Sequence, residues 1–133
     1  LTYGDGLANI NIKKLLEFHK KKKKLVTVSA VRQPSRWGSL IIKENIVTEV
    51  AEKSIIYENK INGGFFVVDK RALDYIDGND TVWEREPLEN LSKDKELAAY
   101  QHDDFWMAMD NLREKKYLNE LWNENNAPWK IWK

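Results

Sequence analysis

The sequence contains no cysteine, few prolines and glycines, and no long apolar run. Without cysteine the chain can form neither a disulfide framework nor a cysteine-based metal site, which fits a reducing compartment such as the cytoplasm. A membrane-spanning helix needs about 20 consecutive apolar residues, and the apolar runs here are far shorter. Low-complexity linkers are absent as well. We therefore expect a single folded domain and no membrane partner.

Charge of one sign is also missing. The 22 basic and 21 acidic residues give a net charge of +1, so no overall field attracts nucleic acid. The length of 133 residues, with 42% hydrophobic and 32% charged residues, is typical of a globular domain with its own core. Tryptophan is abundant, and the closing segment, residues 127–133, is too aromatic to be a free end. We expect it to pack on the domain and to indicate a homo-oligomer interface.

Periodicity and turn residues predict alternating helices and strands. The predicted strands cover residues 25–31, 39–42, 46–51, 65–68 and 97–101, and predicted helices follow Asn11, Asp69, Pro87 and Asp110. Five lysines at 20–24 suit the solvated last turn of the first helix, where cations favour the negative end of the helix dipole. This order predicts an α/β domain with a mixed sheet. The strands at 26–31 and 65–68 should be central and the hairpin at 39–51 should lie at the rim.

The first six residues place an acid between two glycines, after a short apolar lead. An α/β protein presents a carboxylate in this way at the carboxyl end of a strand, where open sheets bind their ligands. Asp5 is therefore a candidate metal ligand. An ordinary strand-to-helix turn, in which Asp5 caps backbone amides, explains the same pattern, and the local pattern alone favours that alternative.

No strong catalytic signature is present, neither a nucleophile elbow, nor a zinc spacing, nor a phosphate-binding glycine loop. What remains are polar residues at the ends of predicted strands or the starts of helices: Asp5, Glu52, Lys53, Asn62 and Asp110. Two aspartates suit Mg²⁺, and a lysine suits a phosphate. Taken singly, Asp110 could be a helix N-cap, Lys53 a surface residue and Asn62 a turn residue.

The glycine pair Gly63-Gly64 precedes an apolar strand, which indicates a bulge or the close approach of another group to the backbone. Two classes of function fit these residues. One is a metal-dependent transferase that acts on phosphorylated substrates, and the other is a non-catalytic domain whose tryptophans bind a sugar or a partner protein. Ligand binding that depends on magnesium would separate the two classes.

A series of short motifs runs through almost the whole chain in one order. The motifs are Tyr3-Gly4-Asp5-Gly6, Glu52-Lys53, Ile61-Asn62-Gly63-Gly64-Phe65-Phe66-Val67, Tyr75-Ile76-Asp77-Gly78, Trp83-Glu84-Arg85-Glu86-Pro87-Leu88, Phe105-Trp106, Met109-Asp110 and Ala127-Pro128-Trp129-Lys130-Ile131-Trp132. Together they resemble the sugar nucleotidyltransferase family. The resemblance implies a Rossmann-like mixed sheet and a reaction of CTP with glucose 1-phosphate that yields CDP-glucose and pyrophosphate.

The resemblance also implies roles for single residues. Asp5 and Asp110 would hold Mg²⁺, and Lys53 would be the catalytic residue that contacts the sugar phosphate. The sugar pocket would be lined by Tyr3, Glu52, Asn62, Gly63 and Gly64. Two positions depart from the family pattern, because Ser54 replaces the proline after Glu52-Lys53 and Asn111 replaces the threonine after Met109-Asp110.

The family's triphosphate-binding loop and its base-reading segment have no counterpart in residues 1–133. We therefore expect this chain to be the C-terminal, sugar- and metal-binding part of a nucleotidyltransferase, inactive alone and prone to self-association through an exposed sheet edge. The alternatives are a nucleotidyltransferase for a different base or sugar, or a non-catalytic sugar-binding domain.

Overall fold

A computed structural model describes residues 1–32, 39–51 and 60–132. In these ranges the strands are β1 (Gly6–Ala8), β2 (Val26–Val31), β3 (Ser39–Lys43), β4 (Ile46–Ala51), β5 (Ile61–Val68), β6 (Leu97–His102) and β7 (Trp106–Ala108). The α-helices are α1 (Ile12–Lys22), α2 (Glu86–Lys93) and α3 (Leu112–Asn123), and a 3₁₀ helix spans Lys70–Tyr75. The predicted α/β class is confirmed. No helix in the described ranges is long and apolar enough to span a bilayer.

The main sheet is mixed, as predicted, and β2 lies at its centre. β5 pairs with β2 antiparallel, and β6 pairs with it parallel on the other side. Val26 and Val31 at the two ends of β2 are fully buried, which is why this strand is rich in β-branched residues. The far side of β5 pairs with the start of the chain, where the Tyr3 amide donates to the Gly64 carbonyl at 2.9 Å. The apolar run at 26–31 is therefore central, as predicted. The run at 65–68 lies instead in an edge strand of the three-stranded sheet, and its outer side pairs with the start of the chain at an isolated bridge between Thr2 and Phe65.

The core lies on the face of this sheet that α2 and the 3₁₀ helix cover. Its buried residues are Val26, Phe66, Ala72 and Leu91. Phe66 is in contact with two other rings, Tyr3 at 5.5 Å and Trp83 at 6.0 Å between centroids. The core thus reaches Tyr3, one of the predicted site residues.

The predicted hairpin is confirmed. β3 and β4 pair antiparallel from Ser39 opposite Ala51 to Lys43 opposite Ile46. Glu44 and Asn45 turn the chain with φ of 48° and 64°, and two consecutive positive φ angles are typical of the tight turns that match strand twist.

The aromatic tail packs on the domain, as predicted. Trp129 lies against Phe105 at 5.5 Å, and Trp132 lies 6.5 Å from Trp122. The Lys130 ammonium sits 5.3 Å from the centroid of the Trp122 ring. The last turn of α1 is solvated as expected, since Lys20, Lys21 and Lys22 are exposed. That helix ends where Lys23 takes a left-handed conformation with φ of 54°.

Two features near the candidate aspartates differ from the prediction. Asp5 does not lie in a strand-to-helix turn, because strand β1 follows it and α1 begins only at Ile12. The segment before Asp110 contains a strand, β7, that the sequence pattern did not reveal. β1 and β7 pair antiparallel, Gly6 opposite Ala108 and Ala8 opposite Trp106. Strands of three residues are too short to show an alternation of apolar and polar side chains.

Candidate active site

The two predicted metal ligands lie at the same end of the β1–β7 pair. The Met109 amide donates a 2.8 Å hydrogen bond to the Asp5 carbonyl, so the backbone of Asp5 lies beside the residue that precedes Asp110. Both aspartates are exposed. Within the described part of the chain, neither carboxylate forms a hydrogen bond or an ion pair. Pairing of two short strands thus brings together two residues from opposite ends of the sequence.

Asp110 is not the N-cap of α3, contrary to one of its predicted alternatives. Asn111 is the N-cap, and its Oδ1 accepts a 3.0 Å hydrogen bond from the Glu114 amide. The Glu114 carboxylate in turn accepts from the Asp110 amide at 2.8 Å. Asp and Asn are equally good N-caps, so their succession at 110–111 left the helix start ambiguous in sequence. Since Asn111 caps the helix, the Asp110 carboxylate is not used in capping and is available to bind a metal ion.

The donor set at this point suits magnesium that is shared with a phosphate. No group of three or more histidine, cysteine, aspartate or glutamate side chains in the described ranges could enclose a metal. Mg²⁺ does not need such a cage, because it keeps several waters and is commonly bound by one or two carboxylates together with substrate phosphates. Two exposed carboxylates, Asp5 and Asp110, fit that mode of binding. The distance of about 6 Å that common ligands of one ion require stays a prediction.

The glycine pair forms the predicted bulge, which lies inside β5. Val28 pairs with Phe66, and the next pair joins Ala30 to Asn62, so three residues of β5 oppose Ser29 alone. A Cβ on Gly63 would lie 2.5 Å from a Val31 methyl carbon, and Gly64 has φ of 76°. Side chains at either position would clash or strain the backbone. Both glycines are therefore required by the local geometry.

The bulge fixes the side chain of Asn62. Its Oδ1 accepts from the Gly64 amide at 2.9 Å, and its Nδ2 donates to the Tyr3 hydroxyl at 3.1 Å. Burial, together with the neighbouring Glu84 carboxylate, raises the pKa of Tyr3 to about 12. Tyr3 is therefore neutral at any ordinary pH. Three residues predicted for the sugar pocket, namely Tyr3, Asn62 and Gly64, form one hydrogen-bonded unit.

Two predicted site residues, Glu52 and Lys53, lie outside the described residues, as does Ser54. Their roles remain predictions. In the described ranges, the predicted residues form two adjoining groups, the aspartates on β1 and β7 and the bulge of β5 with Tyr3.

Two residues at the site were missed in the sequence analysis. The Trp106 indole donates through Nε1 to the Gly63 carbonyl at 2.8 Å, and the Ser29 hydroxyl accepts from the Phe65 amide at 3.2 Å. Trp106 was part of a recognised motif without an assigned role. Ser29 is a buried polar residue within an apolar strand, and a buried hydroxyl must find a hydrogen-bond partner. That signal was present in the sequence.

Comparison with known proteins bears on these findings. No model of a protein family matches the chain. It is 45% identical over 131 residues to a glucose-1-phosphate cytidylyltransferase of Salmonella typhimurium, a match that covers 98% of the chain and 51% of that protein. A Bacillus subtilis protein described as a glucose-1-phosphate cytidylyltransferase is 42% identical over 134 residues, covering 99% of the chain and 52% of that protein. The chain thus spans about half the length of the curated relatives it matches.

The fold has a counterpart among solved structures. A Bacillus anthracis protein described as a glucose-1-phosphate thymidylyltransferase, in complex with a sucrose, superposes with a TM-score of 0.58 at 18% identity. The superposition covers 89% of this chain and 51% of that one. The chain therefore shares the fold of about half of that protein. Along almost its whole length the chain is similar to glucose-1-phosphate cytidylyltransferases, and the resemblance found in the sequence is confirmed.

Proposed function

We propose that the protein is a magnesium-dependent glucose-1-phosphate cytidylyltransferase, and that residues 1–133 are its C-terminal, sugar- and metal-binding part. The observation that carries the proposal is the Met109-to-Asp5 hydrogen bond of 2.8 Å. It brings the backbone of two candidate metal-binding segments together in a chain that is 45% identical to such an enzyme. The hydrogen bond from Trp106 to the Gly63 carbonyl joins the β5 bulge, which contains Asn62, to the same pair of strands.

In the proposed reaction, a phosphate oxygen of glucose 1-phosphate attacks the α-phosphorus of CTP. The new P–O bond forms CDP-glucose, and the bond to the β-phosphate breaks to release pyrophosphate. The protein contributes mainly alignment and charge neutralisation, because phosphoryl and nucleotidyl transfers need little covalent help. Asp5 and Asp110 would hold Mg²⁺, which would supply positive charge to the phosphates.

The remaining site residues bind the sugar phosphate. Lys53 pairs with the phosphate, and Tyr3, Glu52 and the Asn62 bulge line the sugar pocket. One hydrogen of the Asn62 amide is directed to Tyr3 and its oxygen to Gly64, so its second N–H is the group left to donate to a sugar hydroxyl. Because the amide is held at both atoms, it is oriented before the substrate arrives, which lowers the entropic cost of binding.

A second candidate is a nucleotidyltransferase with a different base. It is favoured by one observation, the shared fold with a protein described as a thymidylyltransferase. The third alternative, a non-catalytic sugar-binding domain, predicts sugar binding without any product. All three are separated by one assay.

That assay uses the full-length protein with glucose 1-phosphate and each of CTP, UTP, GTP, ATP and dTTP, and it follows pyrophosphate release with and without EDTA. We expect release with CTP that EDTA abolishes. Asp110→Asn should abolish it as well, whereas Asp80→Asn, at an exposed aspartate to which no role in the reaction is assigned, should leave it unchanged. Release with another nucleotide alone would favour the second candidate, and none with any nucleotide would favour the third.

We also propose that the protein is cytoplasmic and forms a homo-oligomer. The support for the oligomer is the exposed aromatic surface of the tail, where Trp122 and Trp132 are 44% and 57% exposed. Light scattering of the purified protein, with Trp132→Ser as the variant, tests this part. A monomeric wild-type protein would contradict it.

A further inference from the structure

The β5 bulge is held by groups from several separate parts of the chain. Because the bulge interrupts the ladder with β2, its backbone polar groups need other partners. The Gly64 amide donates to Asn62 and the Gly64 carbonyl accepts from Tyr3. The Phe65 amide donates to Ser29. A further hydrogen bond, from Trp106 to the Gly63 carbonyl, joins the bulge to β7.

The contact between Trp106 and Gly63 lies where three functional segments meet. Gly63 adjoins Asn62, and Trp106 opens the strand that leads to Asp110. Gly6, the neighbour of Asp5, lies beside the same hydrogen bond, because a Cβ built on it would be 3.7 Å from both the Gly63 oxygen and Trp106 Nε1. The hydrogen bond between Trp106 and Gly63 thus lies next to Asn62 in the bulge and next to Gly6, the neighbour of Asp5.

We infer that Trp106 is a positioning residue that fixes the sugar-binding bulge relative to the pair Asp5 and Asp110. This inference rests on the proposed function. The indole does not act on the substrate itself. Its N–H holds the Gly63 carbonyl, and Gly63 in turn sets the backbone of Asn62. At 2.8 Å, this hydrogen bond is slightly shorter than an average N–H to carbonyl hydrogen bond. It is also partly buried, which shields it from competing water.

The indole is suited to this task because it reaches across a gap between two sheets. β1 and β7 form a two-stranded sheet that is separate from the sheet of β5, β2 and β6. A tryptophan has a rigid ring and a single donor at its far edge. It therefore sets a distance more firmly than a flexible polar side chain would. A Cβ on Gly63 would lie 2.6 Å from the Ser29 hydroxyl oxygen and 2.5 Å from a Val31 methyl carbon, so the bulge already packs closely against β2 on that side.

The test replaces Trp106 by phenylalanine in the full-length protein, which keeps an aromatic ring and removes the donor. We expect kcat/KM for glucose 1-phosphate to fall by about 10- to 100-fold, since a misplacement near 1 Å costs about that much. The KM for glucose 1-phosphate should rise and kcat should fall, while the KM for CTP stays within about twofold of wild type. Trp129→Phe is the matched control, because Trp129 packs on Phe105 and lies in the tail.

A role in stability alone would give a different result. It would lower the active fraction, and hence kcat, but leave both KM values unchanged, and that outcome overturns the inference. If Trp106→Phe does not fold, Trp106→Tyr is measured in the same way, and failure of both to fold makes Trp106 a stability residue and overturns it too. The proposed function is tested separately by the wild type. An active wild type with an unaffected Trp106→Phe contradicts this inference alone, whereas an inactive wild type contradicts the proposed function.

Discussion

Gly64 lies directly against the ring of Tyr3. A Cβ on Gly64 would come within 2.7 Å of Tyr3 Cδ2, and the backbone there has φ of 76°. The Tyr3 amide in turn donates to the Gly64 carbonyl at 2.9 Å. The two residues therefore define each other's position, and the ring can pack on the bulge only because position 64 has no side chain.

The first prediction is that Gly64→Ala destabilises the fold. The left-handed conformation and the clash with Tyr3 should together cost about 1–3 kcal/mol in the free energy of unfolding, measured by urea denaturation. Gly78→Ala is the control, because a Cβ at Gly78 meets nothing within 4 Å. Equal stability of both variants would show that the bulge can relax around a methyl group.

The second prediction separates the roles of two adjacent residues. Asn111→Ala should lower the free energy of unfolding by about 1 kcal/mol, because it removes the N-cap of α3. Asp110→Ala should change stability by less than about 0.5 kcal/mol and abolish magnesium-dependent turnover. Denaturation curves and pyrophosphate assays on the two variants measure both properties. A larger loss of stability for Asp110→Ala would return the capping role to Asp110.

The third prediction concerns Lys53 in the full-length protein. A lysine that pairs with a phosphate in the transition state contributes several kcal/mol, so Lys53→Ala should reduce kcat/KM for glucose 1-phosphate by about 10²- to 10³-fold. We expect the fold to depend little on this lysine, because charged pairs at a protein surface contribute little to stability, so the melting temperature should hardly change. Lys43→Ala, at the exposed end of β3, is the control. Unchanged turnover would make Lys53 an ordinary surface residue.

The fourth prediction is a pH dependence that arises from Tyr3. Its pKa is raised from 10.0 to about 12, first by burial and then by Glu84. A raised pKa means that the fold favours the neutral hydroxyl, so this stabilisation is fully present below pH 10 and is lost as the pH rises toward 12. Ultraviolet titration should show a tyrosine component that ionises near the pKa of about 12, and Tyr3→Phe should remove that component. Loss of a component near the ordinary pKa would contradict the packing of Tyr3.

The long strands and helices could be predicted because each carries its own pattern. β2 is rich in β-branched residues, α1 has helical spacing, and Pro87 marks the start of α2. β7 could not be predicted, since a strand of three residues has no period and is defined by its pairing with β1 about 100 positions earlier. For the same reason, local pattern alone could not bring Asp5 and Asp110 together.

Parts of the site were beyond the reach of sequence patterns for another reason. Trp106 donates to a backbone carbonyl. Because any residue can supply such a carbonyl, no sequence motif predicts this contact. The glycine pair was predicted as a bulge because glycine has a distinctive conformational range. The role of the glycine pair was thus predictable because the residue type alone restricts the geometry, whereas the role of Trp106 was not.

The bulge also bears on the order in which the protein folds. Its hydrogen-bond partners come from the start of the chain, from β2 and from β7, and closing such long loops is slow compared with forming local helices. We therefore expect the bulge to acquire its final shape only after these segments have assembled, so the proposed sugar pocket should be among the last parts to form. Substitutions there should accelerate unfolding while leaving the folding rate nearly unchanged.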